Sequence, residues 1–318
     1  MEKLRAGIIG IGHVGKEHVR LYNEMKGPIE LIGLCDVDSS KEEKAKELGV
    51  PFFKDYKKIL PQVDLVSICV PTSLHHSVAL QCLSADVHCL VEKPIAMNLE
   101  QADELLEIAR KRNLLLQVGH VERYNSGIQE IGKIVKNPRF IEIHRLGPFN
   151  PRINDCGVVL DLMIHDLDIL LSFVHDEAVR VEAIGIPVLT KFEDIANARL
   201  KFSSGCICDI TASRLTPEKQ RKIRIFQPDA YISVDYAEQK AKIYRKELFS
   251  ISSKEVDIEK GESLRKEIED FIKKVQNKKD FGNPDVAARN ALALAIRILD
   301  SIQEFLQETN AHSKKVNV

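Results

Sequence analysis

The stretch Ala6-Gly-Ile-Ile-Gly10-Ile-Gly12-His-Val-Gly15 decides how the first part of this chain is read. A short apolar strand runs into a G-x-G-x-x-G spacing, and His13 to Met25 then follows helical periodicity. Each glycine has a physical use in such a turn. The first makes the tight bend, the second lets backbone approach a pyrophosphate, and the third lets helix and strand pack closely with the phosphate at the helix N-terminus. His13 and Val14 lie inside the loop, so they join Gly10, Gly12 and Gly15 as candidate cofactor contacts. Asp36 closes the next apolar run, Ile29 to Cys35, 21 positions beyond Gly15, close to the spacing of the acid that holds a ribose. Val37 and Asp38 follow it in place of an arginine, so a 2′-phosphate would meet two carboxylates and NAD is favoured over NADP.

Outward from this turn, short apolar runs alternate with charged helical stretches as far as Gly119. Strands are expected at Asp64 to Val70, Val87 to Val91 and Leu114 to Val118, with helices at Ser39 to Leu48, around His76 to Ser84 and at Leu99 to Arg112. That alternation predicts a doubly wound parallel sheet covered on both faces. After Tyr124 the rhythm changes to strands joined by short turns: 139–146, 178–189, 196–202, 206–213, 222–226, 231–235 and 240–244. One helix, Val158 to Val174, interrupts them, and helices near 262–276 and 284–306 close the chain. The fold class is therefore α/β: a Rossmann-type domain over 1–120, then an α+β domain over 121–309 with a large, mostly antiparallel open sheet. Residues 310–318 read as a frayed polar tail.

Composition narrows the partners. The 318 residues carry 46 Lys and Arg against 47 Asp and Glu, a formal charge of -1. This gives no electrostatic footprint for nucleic acid or an anionic membrane. No apolar run approaches the roughly 20 residues that span a bilayer. The seven cysteines are odd in number and scattered in apolar runs, as expected of buried thiols in a reducing cytoplasm. Cys206 and Cys208 share one face of an expected strand with no second ligand pair, so no metal is expected. A large sheet with one uncovered face points to a homodimer or homotetramer.

Three further groups carry chemistry. Glu92-Lys93-Pro94 ends an apolar strand, at the edge where open α/β sheets bind ligands. Spacing alone also allows Lys93 to be a strand cap. Pro71-Thr72-Ser-Leu-His75 follows another strand at the same edge, although His75 could simply begin a helix. Asp161, His165 and Asp168 stand at i, i+4 and i+7 of one helix, which either orients a general acid/base or makes a solvated stripe.

Taken in order, Gly10 to Gly15, Asp36, Pro71 to His75, Glu92-Lys93-Pro94 and Gly157-Val-Val-Leu-Asp161-Leu-Met-Ile-His165 resemble the glucose–fructose oxidoreductase/inositol dehydrogenase/MocA family over essentially the whole chain. Cys156 departs from it, standing where many members have a second glycine. The resemblance implies a nicotinamide-dependent dehydrogenase of sugar hydroxyls, with Lys93, Asp161 and His165 catalytic, and Pro71, Thr72, His75, Glu92 and Lys93 meeting the cofactor. Within the family, Val118-Gly-His-Val-Glu122-Arg123-Tyr124-Asn125 is similar to UDP-N-acetylglucosamine 3-dehydrogenases and their relatives. This implies oxidation at C3 of a UDP-N-acetylhexosamine, with Glu122, Arg123, Tyr124, Asn125, Arg152 and Asn154 as candidate substrate contacts beside Lys93, Asp161 and His165. Other readings stay open: an inositol or free-sugar dehydrogenase, a redox-neutral NAD-dependent glycosidase, and a non-catalytic NAD sensor. The Glu122–Arg123 pair could also be a salt-bridged hinge.

Overall fold

A computed structural model describes residues 3–25, 27–150, 156–247 and 250–316, with side chains through residue 308. Arg152 and Asn154 lie outside the described residues. The chain divides into two units. One holds the residues up to Val121 together with Leu264–Arg289, and the other holds Glu122–Ser263 and the residues from Asn290 on.

In the first unit the near-continuous apolar runs become strands buried on both faces. These are β1 (Leu4–Ile9), β2 (Ile29–Cys35), β3 (Phe52–Phe53), β4 (Leu65–Ile68), β5 (His88–Glu92) and β6 (Leu116–Gly119). They pair in the order β3-β2-β1-β4-β5-β6, all parallel. The helices α1 (His13–Glu24), α2 (Glu42–Leu48), α3 (Thr72–Ser84) and α4 (Leu99–Lys111) supply the crossovers. The strand order reverses between β1 and β4, and ligands of such sheets sit at that reversal, beyond the strand ends.

Of the span 121–309, expected to form the second domain, the structure returns one helix to the first unit. That helix spans Ser263–Gln276, and its Ile268, Phe271, Ile272 and Val275 join the core that holds Ile8, Leu21, Leu34 and Leu65. A parallel sheet needs cover on both faces, and this amphipathic helix supplies part of it. The two-residue β3 also lay outside the sequence reading, being shorter than any periodicity can register.

The second unit is built on a sheet of eight strands. They are β7 (Phe140–Leu146), β8 (Ala178–Ile186), β9 (Ile195–Phe202), β10 (Ile207–Ser213), β11 (Gln220–Gln227), β12 (Ala230–Asp235), β13 (Lys240–Lys246) and β14 (Ile251–Glu255). Their order is β14-β13-β12-β11-β7-β10-β9-β8, and only the β7–β10 pair is parallel. Period-two burial is plain in β9 and β12, which present one face inward and the other outward. β14 was not expected, because Ile251-Ser-Ser-Lys-Glu is mostly exposed and carries no buried alternation. The short helix α5 (Ser126–Gly132) was also missed. Its start is set by Asn125, whose side chain accepts the Gly127 N–H at 3.0 Å.

The helix expected at 158–174 forms in two windings. A π-helical turn covers Val159–Met163, and α6 (Ile164–Phe173) continues it. The chain closes with α7 (Ser263–Gln276), the returning helix, and α8 (Val286–Val316), which continues through most of the expected polar tail.

His88 opens the strand that leads to Glu92 and Lys93. Its Nδ1 accepts the Leu115 N–H at 2.9 Å, which requires a bare ring nitrogen. Burial lowers its pKa from 6.5 to about 4, against a weaker opposing pull from Asp64. The unfolded chain therefore binds the proton near 6.5 and the folded chain only near 4, so stability falls as pH drops through that window. Urea midpoints measured between pH 7 and 4 should decline in the wild type and decline less in His88→Asn. Identical slopes for the two proteins would remove His88 from the account.

Candidate active site

The glycine turn is constrained on two sides and open on the third. Gly10 has φ of +91°, and a Cβ there would lie 2.5 Å from the Cys69 carbonyl oxygen. A Cβ on Gly15 would lie 2.0 Å from the Gly10 carbonyl oxygen. Around the Cβ position of Gly12 there is no atom within 4 Å, and Gly12, His13 and Val14 are all exposed. Gly12 caps α1 without any side chain bonding the first N–H groups. The turn thus offers bare backbone donors to open space, as a pyrophosphate needs.

Asp36 lies at the end of β2, where Ile11 N–H donates to its Oδ2 at 2.7 Å and Asp38 N–H to its Oδ1 at 2.9 Å. Asp36, expected to hold a ribose, is thereby tied to the glycine loop. Pro71 and Thr72 follow β4 at the start of α3 and keep partial exposure. These residues fit a dinucleotide, and they gather at the carboxyl ends of β1, β2 and β4.

His75 needs correction as a cofactor contact. It is 1% exposed, with Nδ1 2.7 Å from the Pro94 carbonyl and Nε2 2.9 Å from the Val70 carbonyl. Burial lowers its pKa, although both carbonyls pull the other way. It ties the β4 loop to the segment after β5 and presents no edge to a ligand.

Lys93 follows β5, is half-buried, and precedes a cis bond to Pro94. Glu92 faces inward. Its Oε1 accepts from Nε2 of the fully buried His18 at 3.1 Å, and a Cβ on Gly119 would stand 3.0 Å from the same oxygen. Burial raises the Glu92 carboxyl, but His18 and then Lys93 outweigh it and hold it below its ordinary value. Glu92 is thus an anionic support under Lys93 rather than a surface group. Nitrogen, sulfur and oxygen of His18, Cys69 and Glu92 come within 4.8 Å of one another. Burial keeps the Cys69 thiol far above its usual pKa, and His18 Nε2 is committed to Glu92, so the trio reads as packing around that carboxylate.

In the second unit Asp161 is buried within the π-turn, and its N–H donates to the Gly157 carbonyl at 3.0 Å. His165 is half-buried in the first turn of α6. The polar stripe expected to unite them with Asp168 is divided. Asp168 is buried and takes Arg123 through two bonds, from Nε at 2.7 Å and Nη2 at 2.5 Å.

Most of the segment 122–125, expected to meet the substrate, is likewise engaged inside the unit, while Arg123 and Tyr124 keep partial exposure. Glu122 is 5% exposed and accepts Nη2 of Arg145 at 3.1 Å and Nη1 of Arg221 at 3.2 Å. Arg145 bridges onward to Asp166, which also accepts the Tyr236 hydroxyl at 2.6 Å. Asn125 donates to the Tyr236 carbonyl at 2.9 Å and to Glu122 at 3.2 Å. Arg123 pairs with Asp168 rather than with Glu122, and Tyr124 remains half-buried. Sequence reasoning missed this network because period two carries Arg145 inward beside Ile141 and Ile143, where an apolar residue is the default.

None of the seven cysteines is in a disulfide, and six are buried, Cys206 and Cys208 included. Among the described residues no helix is long and apolar enough to cross a membrane.

Comparison with known proteins agrees with this geometry. Residues 4–120 match the model of an oxidoreductase family with an NAD-binding Rossmann fold, and residues 131–233 match the GFO/IDH/MocA C-terminal domain. UDP-N-acetylglucosamine 3-dehydrogenase of Acidithiobacillus ferrooxidans is 36% identical over 315 residues, covering 96% of this chain and all of that one. A solved structure of that enzyme superposes with a TM-score of 0.90 at 37% identity, again over 96% and 100% of the two chains. Myo-inositol 2-dehydrogenase of Lactobacillus plantarum shares the fold alone, with a TM-score of 0.80 at 20% identity over 95% and 98% of the chains. A glycine turn shaped for a dinucleotide, a lysine beyond β5 and matches to both family domains lead to one conclusion: the chain belongs to the Gfo/Idh/MocA family of nicotinamide-dependent oxidoreductases.

Proposed function

We propose that this enzyme uses NAD to oxidise the C3 hydroxyl of a UDP-N-acetylhexosamine. The observation that carries the reading is end-to-end similarity to a UDP-N-acetylglucosamine 3-dehydrogenase, in a chain that carries Lys93, Asp161 and His165 in the order of the family's pattern. The bound nicotinamide would supply the hydride acceptor. What this chain supplies is the handling of the proton and of the charge.

His165 accepts the hydroxyl proton, and Asp161, four residues earlier, orients the imidazole and stabilises its charged form. Lys93 donates a hydrogen bond to the reacting oxygen and offsets the negative charge that grows there. Its position is supported from below by the Glu92–His18 pair. His165→Ala should lower kcat by about two to four orders of magnitude, the usual worth of a general base, while NAD affinity is kept. Near-normal turnover would dismiss His165 as the base. Lys93→Met should show a similar loss; a variant that kept full turnover would return Lys93 to the role of strand cap.

The acids at the end of β2 support NAD as the form of the cofactor. Asp36 is fixed by two backbone donors, so its carboxylate is held ready for two ribose hydroxyls. Lys41 is the nearby cation that could greet a 2′-phosphate, and Asp38 engages it at 3.4 Å. Asp36→Ala should weaken NAD by roughly 10- to 100-fold, as expected for loss of a charged hydrogen-bond acceptor, and should narrow the preference over NADP. Titration of both cofactors by fluorescence decides this; an unaltered NAD affinity would argue that the ribose rests elsewhere.

The substrate is tested by NADH absorbance across a panel of UDP-sugars, free sugars and inositols. Turnover confined to UDP-N-acetylhexosamines is expected. Turnover of free inositol or a free sugar alone would move the enzyme to another branch of the family, and tightly retained NAD without net NADH would point to a glycosidase.

A further inference from the structure

Glu193 occupies the space that a side chain on Gly157 would need. A Cβ at Gly157 would lie 2.0 Å from Glu193 Oε1 and 2.1 Å from its carboxyl carbon. The same residue holds two successive backbone donors. Its Oε1 accepts Val159 N–H at 3.1 Å, and its main-chain carbonyl accepts Val158 N–H at 3.0 Å. The first N–H groups of a helix have no partner within the helix, so one residue here satisfies two of them. The winding that begins at this point is the π-turn Val159–Met163, which contains Asp161 and leads directly to His165.

The loop that presents Glu193 is itself rigidly held. The neighbouring Asp194 accepts the N–H groups of Val188, Leu189 and Thr190 at 2.7, 2.6 and 2.9 Å, and Arg214 Nε at 2.7 Å. Arg214 then donates through Nη1 to the Cys156 carbonyl at 3.1 Å. Gly157 is therefore bracketed, with Cys156 tied on one side and Val158 and Val159 on the other. Burial raises the Glu193 carboxyl above its ordinary value; of the charged groups beside it, Arg214 opposes this and Asp194 adds to it. π-Turns often mark functional positions, and this one has an external support where an ordinary helix would have a local cap.

We infer that Glu193 is a positioning residue for the reaction: it clamps the start of the π-turn so that Asp161 and His165 are presented for proton transfer. Gly157 is the space that this clamp requires. The inference rests on the reading of Asp161 and His165 as the proton-handling pair. Cys156, which departs from the family pattern, enters the clamp through its main-chain carbonyl, so its thiol need not take part.

A carboxylate at the end of a flexible side chain gives way before backbone does. Gly157→Ala should therefore expel Glu193 and reproduce Glu193→Ala. With UDP-N-acetylglucosamine and NAD, each variant should lose about 10- to 100-fold in kcat, the scale of a small misplacement, with NAD affinity unchanged. The double variant should be no worse than either single one. Glu193→Gln keeps an acceptor for Val159 and should stay within about threefold of the wild type. Hydrogen exchange at the Val159 amide should quicken in Glu193→Ala and Gly157→Ala but not in Glu193→Gln, and Gly157→Ala carries the test if Glu193→Ala fails to fold. Faster exchange with wild-type kcat would overturn the positioning role while leaving His165 in place. Losses that multiply in the double variant would also overturn it. Full turnover in His165→Ala would instead strike the proton-handling reading and remove the inference built on it.

Discussion

The contact between Gly15 and the Gly10 carbonyl sets the geometry of the cofactor half. Helix α1 approaches the end of β1 so closely that a methyl group on Gly15 would overlap a carbonyl oxygen. Gly10 in turn passes the Cys69 carbonyl too closely for any side chain, and it does so with a positive φ that favours glycine. These two contacts lock β1, α1 and the end of β4 together. They leave Gly12 as the point where the backbone turns outward. A dinucleotide site here is thus a consequence of backbone meeting backbone: the packing that removes two Cβ atoms also aims free N–H groups at open space.

The second unit solves a different problem, which is how to hold a helix carrying ionisable groups against a sheet. Asp166 and Arg145 are both almost fully buried, and each would be costly alone. Together with Glu122, Tyr236 and Arg221 they form a network in which two carboxylates face two guanidinium groups. Removing one partner of such a buried pair costs about 3–5 kcal/mol, because the other is left charged in a poor solvent. The network therefore fixes α6 in one register against β7. Its neighbour Asp168 fixes the same helix again through Arg123. His165 stands one and three positions before these two anchored acids, so its place on the helix is set by ion pairs that it does not itself make.

The parts of this protein that were legible in its sequence are those written locally. The glycine turn, Asp36 and the parallel strands follow from spacing and apolar runs, and the antiparallel sheet follows from period two. The parts that were not legible depend on distant pairing. Nothing near Glu122 says that it will meet Arg145 and Arg221, and on the page Glu122-Arg123 reads as a pair of neighbours. His75 looked like a ligand-facing histidine until two carbonyls from different loops were found on its ring. The returning α7 was seen as a helix, but its amphipathic face does not state which sheet it covers. The π-winding at Val159–Met163 was invisible for a similar reason, since the donors that begin it are held by Glu193, over thirty positions further on.

Glycine gives the two units a common device with opposite use. At Gly15 the missing Cβ admits a backbone carbonyl, and the result is a rigid turn that leaves its donors free for a ligand. At Gly157 the missing Cβ admits a carboxylate, and the result is a turn whose donors are already taken. The first arrangement suits a site that must accept and release a charged cofactor. The second suits a short run of backbone that must not move while a proton is passed. Charge follows the same division: Asp36 stays half-buried at the end of β2 beside the glycine loop, whereas Glu193, Asp194 and Asp166 hold the chain from within. A near-zero net charge therefore says little about this protein, because its carboxylates do two kinds of work, and burial decides which.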